Sequence, residues 1–122
     1  MRFSQLLLRA DRVVQRTLKS LPPDVREPAT AVPVVFEPAP NPELTADGIE
    51  PDTLGLFVGP THAEDPASAD LPPQILLFLD NLWDYAQADP VVFDQEIRLT
   101  YLHELGHYLG LDESDLEKRG LE

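Results

Sequence analysis

The stretch DPVVFDQEIRLTYLHELGHYLG, residues 89–110, decides the fold. Asp89 is a good helix N-cap and Pro90 suits the first helical position, while Gly110 suits the left-handed position just past a helix end. Between them Val91, Ile97, Tyr101, Leu102, Leu105 and Leu109 supply an apolar face. A helix over 90–109 is therefore expected. On it His103 and His107 stand four residues apart, so both imidazoles project from one face and can hold one metal ion from consecutive turns. Glu104, turned about 100° from His103, sits beside the pair rather than on it. At this composition, with three His and ten Glu in 122 residues, the pattern HExxH arises by chance in roughly 0.6% of chains. The helix was inferred without using the histidines, so the two observations support each other. Two unrelated surface histidines are the plain alternative.

Outward from this helix the chain reads as α+β. Toward the N-terminus, Phe3, Leu7, Ala10, Val14, Leu18 and Leu21 make one amphipathic stripe, so residues 1–21 are expected as a helix packed on the domain and stopped by Pro22 and Pro23. Residues 22–53 carry eight of the thirteen prolines and are expected as ordered loop around one strand, AVPVVFE (31–37), where Pro33 suggests an edge or a strand start. TLGLFVG (53–59) and QILLFLD (74–80) read as two further strands, separated by a polar, proline-rich loop, THAEDPASADLPP. NLWDYAQA reads as a short helix or turn, with Trp83 and Tyr85 as packing residues. A last short helix is expected over 113–119, with Glu113 near its start and Lys118 and Arg119 at its end, as the helix dipole prefers. The result is a small mixed three-stranded sheet against an N-terminal helix and the HExxH helix, in a single domain over residues 1–122.

Composition limits the chemistry. There is no cysteine, so a thiolate site or a disulfide is impossible, and a metal must sit on His, Asp or Glu. The net charge is −13; between Glu27 and Ile97 there is no Lys or Arg but there are fourteen acids. Nucleic acid, which needs a basic footprint, is a poor partner. No apolar run approaches the ~20 residues of a membrane span, and the N-terminus lacks a signal-peptide pattern. The chain reads as soluble and cytoplasmic, and a monomer is expected.

TYLHELGHYLGLDESDLE resembles the zinc-binding segment of zincin metallopeptidases, and most closely a small bacterial zincin-like family. In that family an HExxHxxG helix is followed by an acidic segment and a closing helix, and two short upstream strands resemble LGLFVG and QILLFL. The resemblance spans residues 31–119 and is specific from Leu99 to Leu116. It implies His103 and His107 as Zn²⁺ ligands, Glu104 as general base, and Gly110 as the turn that brings the chain back. For the third ligand it points to Glu113 first, Asp112 second and Asp115 third; all three can instead be cap residues of the last helix. By the same analogy an extended peptide pairs with a strand near the helix, for which residues 74–79 are the candidate.

The activity implied is zinc-dependent hydrolysis of peptide bonds in a peptide or protein substrate, with zinc lowering the pKa of its water to about 7 and Glu104 taking the proton. The alternative is a metal-binding interaction or regulatory module with little or no proteolysis. Around the motif, Thr100 is expected to line the cleft, Tyr101 to be core and Tyr108 to be partly exposed. His62 is expected as an ordinary loop histidine, with oxyanion donation or distant completion of the metal site as its functional alternatives.

Overall fold

The computed structural model describes residues 1–65, 67 and 71–121. In chain order these form α1 (Phe3–Ser20), α2 (Pro23–Thr30), β1 (Val34–Glu37), α3 (Pro42–Ala46), β2 (Gly55–Val58), β3 (Gln74–Phe78), α4 (Leu79–Tyr85), α5 (Pro90–Leu109) and α6 (Glu113–Lys118). The sheet order is β1-β3-β2, with β1 parallel and β2 antiparallel to β3. This is the expected mixed three-stranded α+β arrangement, with the long helix α5 against the sheet.

The strands are short and alternate. On the face turned to α5, Val34, Ile75 and Phe57 make one row across the sheet, and Phe36, Leu77 and Gly55 make the next. Ile75 and Leu77 are fully buried, as expected for a central strand. Pro33 precedes β1, which is an edge strand as its missing donor requires.

Helix α5 begins and ends where its capping residues predict. The Asp89 carboxylate accepts from the amides of Val91 and Val92, and Gly110 is left-handed at φ 73°. Its burial differs from the expected stripe. Phe93, Ile97, Tyr101, Leu102, Glu104, Leu105, Gly106 and Tyr108 are buried, whereas Val91 is exposed. The helix touches α1, α4, α6, β2 and β3, so it is enclosed on more than one face.

Helix α1 lies on α5, α4 and α2 and is tied to α5 by an Arg9–Asp94 ion pair at 2.7 Å. Ala10, Val14 and Leu21 are buried as expected, and Leu6, Val13 and Thr17 join them; Phe3, Leu7 and Leu18 are only partly buried. Contact with three helices widens the buried face beyond a single stripe.

The segment 22–53 departs most from expectation. Instead of loop around one strand it contains two helices as well. Pro22 and Pro23 do end α1, but Pro23 also sits in the first turn of α2, where a missing N–H costs nothing. Asn41 caps α3 through the Leu44 amide, again with proline next in line. Of the loop expected over 61–73, residues 66 and 68–70 lie outside the described residues. Tyr85 is exposed rather than packed, while Trp83 meets Phe93 edge-on at 5.7 Å. Among the described residues, no helix is long and apolar enough to cross a membrane.

Candidate metal centre

The chemistry gathers at the C-terminal half of α5. His103 and His107 project from the exposed side of the helix with ring centroids 4.7 Å apart, and Glu104 turns inward, 6% exposed. One ligand atom each from His103, Glu104 and His107 falls within 4.8 Å of the others. The Glu104 carboxylate lies 3.4 Å from His107 Nδ1 and 3.9 Å from His103 Nε2. Donors around one tetrahedral ion with bonds near 2.1 Å stand about 3.4 Å apart, and the donor atoms of His103 and His107 lie within 4.8 Å of one another. Two imidazoles with an open, water-accessible face, and no thiolate, are a donor set suited to zinc, so these residues fit a metal of that kind.

Glu104 is held from the strand side. The backbone amide of Phe57 on β2 is near enough to favour its ionised form. Burial raises its pKa, and His107, His103 and that amide each pull it back down. The close approach depends on Gly55. A Cβ there would meet Thr100 Cγ2 at 2.5 Å, Leu76 O at 3.3 Å and Glu104 Cγ at 3.4 Å. A glycine inside a strand pattern is the sequence signal for such an approach, whereas no sequence pattern points to the Phe57 amide.

Gly106, between Glu104 and His107, serves the other side. A Cβ there would press on Leu111 O at 3.1 Å and Leu116 Cδ1 at 3.2 Å, so the small residue lets the chain fold back and α6 close over the helix. That return places the three downstream acids in different situations. Asp112 and Asp115 form a reciprocal capping box, each carboxylate accepting the other's amide at 2.8 and 3.0 Å. Glu113 is free of the box. Its carboxylate is 79% exposed and 3.6 Å from His103 Nδ1.

The other polar residues separate cleanly. Thr100 lines the cleft with His103 and Glu104, as expected. Tyr101 is core at 1% exposure, and burial pushes its hydroxyl pKa up to about 12. Tyr108 is buried rather than partly exposed, because Phe57 and His62 cover its ring at 5.7 and 5.6 Å. The His62 amide donates to the Tyr108 carbonyl at 2.8 Å and its ring nitrogen faces the Tyr108 hydroxyl at 3.4 Å. His62 is outside the His103–Glu104–His107 group.

The strand expected to receive a peptide also changes. Residues 74–78 form the central strand, with both sides already paired, so an added chain has no ladder positions there. The edge strand beside Glu104 is β2.

A family described as zincin-like metallopeptidase matches residues 29–121, well over half of the chain. No curated protein matches the chain.

Proposed function

Since the chain belongs to the zincin-like metallopeptidase family, we propose that it is a zinc-dependent peptidase that hydrolyses peptide bonds at the His103–Glu104–His107 cluster. The observation that carries this reading is the division of labour on α5: two exposed imidazoles able to share an ion, and one buried carboxylate beside them. His103 and His107 hold the metal, with Glu113 as the third protein ligand. The engagement of Asp112 and Asp115 in the capping box, and the 3.6 Å approach of Glu113 to His103, support that choice. Zinc bound there supplies Lewis acidity to water and to the scissile carbonyl. Glu104 accepts the proton of the attacking water and returns it to the leaving amine, a task suited to a carboxyl whose pKa burial raises. An extended substrate pairs along the free edge of β2, where Gly55 brings the backbone against the cluster.

The test is hydrolysis of a mixed peptide library by the zinc-loaded chain and by its Glu104→Gln variant. Cleavage that depends on Glu104 is the expected result. Stoichiometric zinc without Glu104-dependent cleavage would favour a metal-binding module, which the 79% exposure of Glu113 gives some basis for.

A further inference from the structure

The cleft is unevenly lined on the two sides of the His103–Glu113 pair. One cavity, of about 450 Å³, is walled by Leu54, Leu99, Leu102, Leu116 and Leu121, with Gly55 and Thr100 beside them. Its only ionisable side chains among the described residues are His103 and Glu104 of the cluster and the neighbouring Glu113. The cavity that shares His103, Glu113 and Leu116 from the other side is walled instead by Gly106, His107, Gly110, Leu111 and the capping Asp112.

The five leucines come from separate parts of the chain: the lead-in to β2, two positions of α5, one of α6 and the residue near its end. Leu102, Leu116 and Leu121 are buried, whereas Leu99 stays 45% exposed. An apolar side chain seated there would remove Leu99 from water, a favourable transfer. A charged side chain would lose hydration against the leucines with no partner beyond the centre's own groups.

We infer that this cavity is the specificity pocket and takes one large, uncharged apolar side chain flanking the bond to be cut. The inference rests on the peptidase reading above for its place in a reaction, but the pocket can be tested by binding alone. The leucine pocket selects at one residue of the substrate.

The probes are capped pentapeptides identical except at one position, which is Leu, Phe, Ala, Lys or Asp. Binding is followed by methyl NMR shifts of the pocket leucines in the zinc-loaded Glu104→Gln chain, and turnover by kcat/KM in the zinc-loaded native chain. A methylene in an apolar pocket is worth about tenfold at the low end. The Leu and Phe peptides are therefore expected to bind, and to be cut, at least about tenfold better than the Ala, Lys and Asp peptides. Leu99→Lys, or Leu99→Gln at this half-exposed position, should shrink that preference without changing zinc stoichiometry. No binding of any probe, equal binding of all five, or a preference untouched by both variants would overturn the pocket. Selective binding with no turnover would overturn the peptidase reading and leave the pocket standing, while turnover without selectivity would do the reverse.

Discussion

The two flanks of α5 treat a carboxylate in opposite ways. Against β2, Glu104 is buried beside two histidines, and they and a strand amide favour its charged form. At the mouth formed by α6, Glu113 is open to water and lies 3.6 Å from His103. A residue that must shuttle a proton gains from the first setting, because burial brings its pKa toward working pH. A residue that must close on an ion is served by the second, where a flexible, charged oxygen can move in. The difference teaches that HExxH spacing brings two histidines and a glutamate together, whereas the surroundings give each acid its own setting.

The most severe break of this comparison is Glu104→Gln, which keeps size and hydrogen bonding but removes the base. We predict loss of about 10²–10⁴ in kcat with zinc content unchanged, checked by steady-state hydrolysis beside metal analysis. Next is Glu113→Ala, predicted to weaken zinc by more than about 100-fold, beyond what a supporting partner costs. A chelator-competition titration measures it. Asp112→Ala tests the same flank from the other direction. It should leave zinc affinity nearly unchanged and cost about 1 kcal/mol of stability, as expected for a lost helix cap. Denaturant unfolding of the two variants side by side separates ligand from cap.

Gly55→Ala probes the buried flank. Its methyl would run into Thr100 at 2.5 Å and crowd Glu104, so the strand must shift from the helix. A destabilisation of about 1–3 kcal/mol is expected, with a fall in turnover larger than the fall in zinc binding. Equal effects on both would mean that the strand supports the ligands rather than the base.

What the sequence made legible follows the same division. Helix α5 and its cluster are local: Asp89-Pro90 and Gly110 mark the ends, and HExxH needs only helical periodicity. Asn41-Pro42 carries the same signal as Asp89-Pro90, yet α3 was hidden by the density of prolines around it. Pro23 did double duty, ending one helix and opening another. The central position of β3 and the burial of Tyr108 depend on partners far along the chain, Leu54–Val58 and His62, which no local pattern announces. The separation of Glu113 from Asp112 was likewise undecidable by spacing. The structure shows which of the two the last helix uses as its cap.

The division between the two flanks is tested most directly by zinc affinity measured on Glu104→Gln and Glu113→Ala in parallel. The account predicts native-like affinity for the first and a large loss for the second. A large loss in Glu104→Gln with native-like affinity in Glu113→Ala would contradict it.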